Sequence, residues 1–262
     1  MTSCLHGCIE RKAVHAPASN PPIDPELLLL AYRSGVFPMA DARDDPELFW
    51  VEPRRRAILP LDAFHCSRSL ARTLRRGEFE VSCNRAFGEV IRACAGPRRD
   101  SGETWISGRI EQSYLELHRL GHAHSIECWQ DGALVGGLYG VGFDRVFCGE
   151  SMFSRVADAS KVALAWLVAA LRLGGCSLLD CQFITPHLAS MGAIEISQER
   201  YLKLLRAAQF AAGAGLAEAA ADGDAEGVGL AAGFGALLGA AKSAGFSSSP
   251  GNFIAQSFTH TS

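Results

Sequence analysis

The chain of 262 residues is 48% hydrophobic, which allows it to bury a large core in one domain or in two unequal ones. Its 25 basic residues face 28 acidic ones, and the formal net charge of −3 does not by itself favour a nucleic-acid-binding protein. No apolar run is long enough to cross a bilayer, and the first residues lack a signal-peptide pattern. We therefore expect a soluble cytoplasmic protein without membrane contact.

The cysteines indicate free thiols and no metal site. There are nine of them, an odd number without the dense spacing of a secreted disulfide scaffold. The nearest approach to a metal motif is Cys4-Leu5-His6-Gly7-Cys8, with His15 further on. A zinc site needs about four ligands, and no second cysteine or histidine pair completes this one. We predict no metal and no other cofactor.

The N-terminal part predicts a small domain behind a loose extension. Residues 1–22 are polar and unpatterned, and we predict that they are disordered. Asp24-Pro25 then has the form of a helix cap followed by a proline, and Gly35 ends the helix. Two short strands interrupted by prolines follow. These elements predict an N-terminal α/β domain over residues 23–62.

A local excess of positive charge interrupts the otherwise acidic chain. Between Glu52 and Arg109 there are twelve arginines and seven acids. The segment 67–77 predicts a helix with four arginines crowded on one side: Arg68, Arg72, Arg75 and Arg76. Such a face either contacts phosphates or is merely solvated, and the charge pattern alone leaves both interpretations open.

The middle of the chain carries signals for strands, helices and turns. Residues 79–83 alternate as a strand does, and Asn84 is placed to cap the helix that follows. Ser107 is placed to cap a second helix. Three antiparallel strands are predicted over 125–152, the first two joined by an Asp131-Gly132 turn.

Two carboxylates stand where short apolar strands end. Glu150 follows an alternation of apolar and small residues, and Asp180 comes directly after an apolar strand. The apolar stretch 159–173 predicts one helix between them, and a crossover of this kind usually brings its strands side by side. We expect Glu150, Asp180 and Gln182 to face one pocket. Acids that only cap strands and bind backbone amides are the competing interpretation.

Cys148 and Cys181 stand beside the two carboxylates and are candidate nucleophiles. No histidine is tied to either cysteine by a local motif. We therefore favour buried structural thiols.

The order of elements predicts an α+β fold. A mixed sheet flanked by helices over residues 63–206 resembles the acetyltransferase-like (GNAT-like) fold. The Ala- and Gly-rich extension 207–262 shows no firm periodicity, and we assign it no function. Its last residues are polar, and we expect them to be exposed.

Seven short motifs in a fixed order carry a resemblance to a known family. They are Gly35-Val36-Phe37-Pro38-Met39, Thr104-Trp105-Ile106, Leu120 to Glu127, Gly136-Gly137-Leu138-Tyr139-Gly140, Phe147 to Ser154, Asp180-Cys181-Gln182 and His187 to Ala193. Each motif is weak alone, but together they resemble the bacterial leucyl/phenylalanyl-tRNA–protein transferase family over about residues 24–206. One departure is Trp50-Val51-Glu52-Pro53-Arg54-Arg55-Arg56, where relatives commonly read Trp-Trp-Ser-Pro-x-Pro-Arg.

The resemblance implies an aminoacyltransferase with an acetyltransferase-like fold. It would move Leu or Phe, and Met less well, from Leu-tRNA or Phe-tRNA to the N-terminal Arg or Lys of a protein. The protein would then be degraded through the bacterial N-degron pathway. We expect it to act as a monomer.

The resemblance also assigns residues to roles. Its reaction-site residues fall on Glu150, Asp180 and Gln182. Our own hypothesis is that Asp180, with Gln182, orients the incoming amine and helps its proton leave, while Glu150 helps to bind the amine or the cationic first side chain. The implied aminoacyl pocket consists of Trp105, Tyr114, Leu138, Phe147 and Leu164. The implied tRNA-binding helix carries Arg68, Arg72, Arg75 and Arg76.

Two rival functions stay open. An acyl-CoA N-acyltransferase fits the order of strands and helices, but such enzymes grip pyrophosphate with a glycine-containing turn, and the junction 154–159 has no glycine. A non-catalytic module that binds tRNA or peptide explains the arginines but leaves Glu150, Asp180 and Gln182 without a task.

Overall fold

Strands and helices account for most of the described chain. The computed structural model describes residues 9–14, 21–45, 47–96, 104–222 and 229–259. The strands are β1 (Ile9–Val14), β2 (Phe37–Met39), β3 (Leu48–Pro53), β4 (Arg55–Ile58), β5 (Glu80–Cys83), β6 (Ala123–Gln130), β7 (Ala133–Phe143), β8 (Val146–Ser154), β9 (Leu178–Gln182) and β10 (Ile194–Ser197). The helices are α1 (Pro25–Arg33), α2 (Arg68–Arg76), α3 (Phe87–Cys94), α4 (Gly108–Arg119), α5 (Ala159–Leu173), α6 (Pro186–Ala189), α7 (Gln198–Asp222), α8 (Leu230–Ser243) and α9 (Pro250–Thr259).

The large sheet is mixed, and the predicted crossover lies at its centre. Its seven described strands have the order β10-β4-β9-β8-β7-β6-β5. β8 and β9 are parallel neighbours, and the other described pairs in this sheet are antiparallel. α5 connects the parallel pair and packs between the sheet and α8, which explains why it is apolar on nearly every side. The predicted α+β class with a mixed sheet flanked by helices is confirmed.

The β6–β7 hairpin has the turn that the sequence predicts. Asp131 and Gly132 have φ values of 52° and 75°. A tight two-residue hairpin turn that matches the twist of its strands needs positive φ at both central positions, which favours this residue pair.

The helix predicted to begin at Asn84 begins later. α3 starts at Phe87, and Ala86 is the N-cap residue, without a side-chain cap. Asn84 instead adopts a left-handed conformation with φ of 61°, and its amide oxygen accepts a hydrogen bond from the Ser125 N–H at 3.0 Å. The prediction is wrong because β6 competes successfully for the Asn84 side chain. The cap predicted at Ser107 is confirmed by a bond from the Ile110 N–H to its hydroxyl.

Residues before position 62 contribute to both sheets. β1, β3 and β2 form a small antiparallel sheet in that order, whereas β4 lies between β10 and β9 in the large sheet. Residues 9–14, which we predicted to be disordered, therefore form a paired strand. The cysteine and histidine side chains between Cys4 and His15, the nearest approach to a metal motif, lie outside the described residues. The domain boundary at residue 62 stays a prediction.

The described parts of the C-terminal extension are helical and partly buried. α7 continues to Asp222, and α8 and α9 pack on α5 and α2. Within the tail predicted to be exposed, Phe258 is buried, and its ring centroid lies 4.7 Å from that of Phe64. The prediction is wrong there because Phe258 belongs to α9, and this helix packs on α2 and α5. In the described ranges, no helix combines the length and apolarity that crossing a membrane requires.

Candidate active site

A cavity of about 990 Å³ opens where β8 and β9 separate. The pairing between these parallel strands ends at Cys148 and Asp180. Residues that follow the last pair line the cavity, among them Glu150, Cys181 and Gln182. The site therefore lies just beyond the last β8–β9 pair, while β8 stays paired with β7 and Gln182 with Ala57 of β4.

Glu150 is buried and accepts three hydrogen bonds. Its Oε1 accepts from the Tyr32 hydroxyl at 2.7 Å and from Gln182 Nε2 at 2.9 Å, and its Oε2 accepts from the Tyr114 hydroxyl at 3.2 Å. The two tyrosine hydroxyl oxygens also lie in direct contact with each other. Burial raises the pKa of Glu150 to about 7, against the lowering effect of the bonds from Tyr32 and Gln182. The negative charge of Asp180 adds to the increase in this pKa.

Asp180 is fully buried and does not line the cavity. Its Oδ1 accepts from Arg56 Nε at 2.9 Å, and its Oδ2 accepts from Arg56 Nη2 at 2.5 Å and from the Tyr201 hydroxyl at 3.0 Å. Oδ1 also accepts the backbone N–H of Gln182 at 2.8 Å. With these four bonds the carboxylate is positioned to hold Gln182 rather than to contact a substrate.

Arg56 is the buried cation of the site. Its guanidinium lies 4.7 Å from the Phe37 ring centroid and 4.6 Å from that of Tyr201, and it donates to the Gly35 carbonyl at 3.1 Å. Burial alone would lower the pKa of Arg56, but the Asp180 carboxylate raises it well above its ordinary value. The pair is thus charged, bidentate and enclosed by aromatic rings.

Gln182 connects the two acids. Its φ of 60° lies in the left-handed region, which is uncommon for a residue with a branched or long side chain. The backbone N–H is held by Asp180 while the side-chain amide reaches Glu150. Because surrounding bonds maintain this conformation, the amide is held at the cavity wall in one orientation.

The aminoacyl-pocket residues divide into two groups. Trp105, Leu138 and Leu164 line the cavity, whereas Tyr114 and Phe147 do not. Phe147 pairs with Leu179 in the closed part of the β8–β9 ladder and borders a separate cavity of about 200 Å³. Tyr114 contributes through its hydroxyl, which bonds to Glu150, and not through the cavity wall.

The surroundings of the two neighbouring cysteines disfavour the thiolate form. Cys148 is buried, and burial raises the pKa of both Cys148 and Cys181 far above the ordinary range. A thiol that is not ionised is a poor nucleophile, which agrees with the structural interpretation of both residues. Among the described residues, no group of three or more His, Cys, Asp or Glu side chains could hold a metal ion.

The arginine helix α2 presents its charges to solvent. Ser67 caps it with a bond from the Leu70 N–H at 3.2 Å, and Gly77 ends it in the left-handed conformation. Its apolar face is buried, whereas the four predicted phosphate-binding residues lie outside that face: Arg68, Arg72, Arg75 and Arg76. Arg76 forms an ion pair with Glu78 at 3.2 Å, but both partners are largely exposed, so this pair contributes little stability.

Sequence reasoning missed three residues that build the site: Tyr32, Arg56 and Tyr201. In the sequence Arg56 is one of the charges of the basic segment, but it also directly precedes the apolar residues that end β4. An arginine at the start of a buried strand needs a buried acid, and that was the available signal. Tyr32 and Tyr201 carry no local signal of their role.

Comparisons with known proteins show to which family the chain is similar. A family model described as leucyl/phenylalanyl-tRNA protein transferase matches residues 58–206, and a model of the N-terminal domain of the same family matches residues 22–54. A leucyl/phenylalanyl-tRNA–protein transferase of Novosphingobium aromaticivorans is 66% identical over 258 residues, covering 92% of this chain and 97% of the relative. One of Rhizorhabdus wittichii is 61% identical over 196 residues, covering 74% of this chain and 79% of the relative.

Among solved structures, a functionally unknown conserved protein from Staphylococcus epidermidis aligns with a TM-score of 0.39 and 9% identity, over 73% of this chain and 70% of the other. A similarity of this size does not establish a shared fold. The family of the chain is instead shown by the sequence relatives and by the two family models, of which the longer alone spans more than half of the chain. The chain belongs to the leucyl/phenylalanyl-tRNA–protein transferase family.

Proposed function

We propose that the protein transfers Leu or Phe, and Met less well, from aminoacyl-tRNA to the N-terminal Arg or Lys of proteins and so creates a bacterial signal for their degradation. The observation that carries the proposal is the position of Glu150 and Gln182 on the wall of a cavity that Leu138 and Leu164 also line. One cavity thus offers an acid that can bind the cationic N-terminal residue and an apolar wall that can bind the Leu or Phe side chain.

The chemistry needs orientation more than a strong base. The α-amine attacks the ester carbonyl, a C–N bond forms, the C–O bond to the tRNA 3′ oxygen breaks, and the amine proton leaves with that oxygen. With a pKa of about 7.7–8, about a tenth to a fifth of the amine is already neutral at pH 7. Holding both reactants in place can supply about 7–11 kcal/mol, against about 3–5 kcal/mol from one general base.

We propose different roles for the three predicted reaction-site residues. Glu150 binds the incoming amine or the cationic first side chain, because it is the acid among the three that lines the cavity. Gln182 orients the amine with its side-chain amide. Asp180, which we expected to face the pocket, acts from behind as a positioning residue through the backbone of Gln182.

Donor choice tests the aminoacyl pocket. We expect Leu-tRNA to be used about tenfold or more better than Val-tRNA or Ile-tRNA. Valine lacks one carbon, isoleucine carries a branch at Cβ, and in a cavity that fits a side chain unbranched at Cβ a change of one methylene or methyl group costs about 1–3 kcal/mol. Competition between labelled donors gives the ratio of kcat/KM values directly. Comparable transfer of valine or isoleucine would show that Trp105, Leu138 and Leu164 do not form the selective wall.

The arginine helix is tested by charge reversal. Arg72→Glu and Arg75→Glu should each raise the KM for Leu-tRNA, and each should reduce the slope of log KM against log salt by about 1, because the variant binds one phosphate fewer. Arg200→Glu is the matched control, since Arg200 is an exposed arginine of α7. If both α2 variants behave like this control, the helix face is only solvated.

One assay separates the proposal from its rivals. Labelled leucine should move from its tRNA to a peptide that begins with Arg, and acetyl-CoA should not replace the donor. Acetyl transfer without leucyl transfer would establish the acyl-CoA alternative, and binding of tRNA without either transfer would establish the non-catalytic one.

The family resemblance also implies a fold type, a cellular location and an oligomeric state, and we include these in the proposal. We propose an acetyltransferase-like arrangement for the large sheet, supported by the divergence of the parallel pair β8–β9 at the site. We also propose that the protein acts in the cytoplasm, where its aminoacyl-tRNA donors are made, and that it acts as a monomer.

A further inference from the structure

The C-terminal helix pair α8–α9 lies beyond the segments that the family models match, yet it is packed into the core. The Phe234 ring centroid of α8 lies 5.5 Å from that of Trp166 in α5. Gly233 lies so close to the Ala170 carbonyl that a Cβ atom on it would overlap the backbone of α5. The backbones of α8 and α5 are therefore in direct contact, and this close packing determines the position of α8.

α9 approaches the arginine helix in the same way. In its first turn, Gly251 lies against the Leu74 carbonyl, and a Cβ atom there would overlap the backbone of α2. At its other end, Phe258 packs on Phe64, which precedes α2 in the chain, and lies under the Arg172 guanidinium at 4.9 Å. α9 thus contacts both the segment leading into α2 and the last turn of α2.

Helix α2 depends on such support. It has nine residues, and helices shorter than about 12–15 residues are marginal in water, so packing rather than propensity maintains it. Its buried face meets α9 and α5, while its arginines lie on the side away from that face. Simultaneous binding of successive phosphates by several arginines requires that the whole helix keeps one orientation.

We propose that α9 is a positioning element that fixes the orientation of α2 and thereby determines the affinity for the tRNA body. The inference rests on the proposed contact between α2 and tRNA. Phe258 and Gly251 act through α2 and do not themselves contact RNA or the reacting atoms. Helix α9, which lies in the extension to which the sequence assigned no function, is then part of the support of the tRNA-binding helix.

The test compares Gly251→Leu with Gly235→Leu in the full chain. Gly235 lies on the exposed side of α8 with no atom near its Cβ position, so the same substitution there should change nothing. Gly251→Leu should raise the KM for Leu-tRNA by about fivefold for each phosphate that α2 no longer binds, and the salt slope should become shallower by about 1 for each such phosphate. Its kcat, and its kinetics with 3′-O-leucyl-adenosine, a donor without the tRNA body, should stay unchanged.

Phe258→Ala keeps the test informative if Gly251→Leu fails to fold. It should produce the same rise in KM and faster amide hydrogen exchange in residues 68–76. Faster exchange with an unchanged KM would overturn the proposal.

Arg72→Glu measured alongside separates the inference from the proposed function. If Arg72→Glu raises KM while Gly251→Leu and Phe258→Ala do not, α9 has no positioning role and the tRNA contact of α2 stands. If none of the three changes KM, the assignment of α2 to tRNA is wrong, and the inference fails with it.

Discussion

Arg56→Met is expected to lower the free energy of unfolding by about 3–5 kcal/mol, because it leaves the Asp180 carboxylate buried without its cation. Asp180 is fully enclosed, and Arg56 is 1% exposed, so water cannot replace the missing partner. Transfer activity should fall as well, because Asp180 holds the backbone of Gln182. Urea unfolding monitored by circular dichroism, together with leucyl transfer at a temperature where the variant is folded, measures both effects.

Arg55→Met is the matched control for this experiment. Arg55 forms an ion pair with Glu195 at 2.8 Å, but its side chain is 55% exposed, so its removal should cost less than about 1 kcal/mol. If Arg56→Met and Arg55→Met unfold at the same urea concentration, the buried pair does not have the role that its geometry indicates.

The double variant Arg56→Met/Asp180→Leu separates stability from positioning. Replacing both members of a buried ion pair by apolar residues is often neutral or stabilising, so much of the stability removed by Arg56→Met should return. Activity should stay low, because the Gln182 N–H then has no carboxylate to hold it. Recovery of full activity would exclude a positioning role for Asp180.

Glu150→Gln is expected to lower kcat/KM for an Arg-initiated peptide by about 10- to 150-fold, the range expected for one hydrogen bond to a charged group. It should also change the pH profile. The pKa of Glu150 is raised to about 7, so the native enzyme gains its anionic form as the pH rises through 7. The α-amine of the substrate loses its proton at about pH 7.7–8.

The native profile of log kcat/KM should therefore have a slope of about 2 below pH 7 and about 1 between the two pKa values. In Glu150→Gln only the substrate amine titrates, and the lower inflection should disappear. Glu116→Gln, at a partly exposed acid paired with Arg119 on α4, is the control and should keep the native profile. A native profile without an inflection near pH 7 would mean that the Glu150 charge is not used.

The same ionisation affects stability with the opposite sign. Because the pKa of Glu150 is raised in the folded state, the native protein binds more protons than the unfolded chain between about pH 4.3 and about 7. Its contribution to the free energy of unfolding therefore falls as the pH rises through that window. The pH at which Glu150 works best in binding a cation is one at which it stabilises the fold less.

Local patterns in the sequence determined α5, the β6–β7 turn and the start of α4. The apolar run of α5 between two strand signals, the Asp131-Gly132 turn and the Ser107 cap all lie within a few residues of the groups they control, and each was predicted. Glu150 and Gln182 reach one cavity because a crossover connection leaves its two strands adjacent, which follows from chain order and handedness.

Tertiary structure alone decided which partners these groups have. Arg56 and Asp180 are 124 positions apart, and Tyr32 and Glu150 are 118 apart, so no local period could pair them. The pairing depends on β4 lying beside β9 in the large sheet, which places the buried arginine behind Asp180 and turns that acid away from the cavity. The burial of α8 and α9 likewise depends on surfaces of α5 and α2 that exist only after the chain has folded.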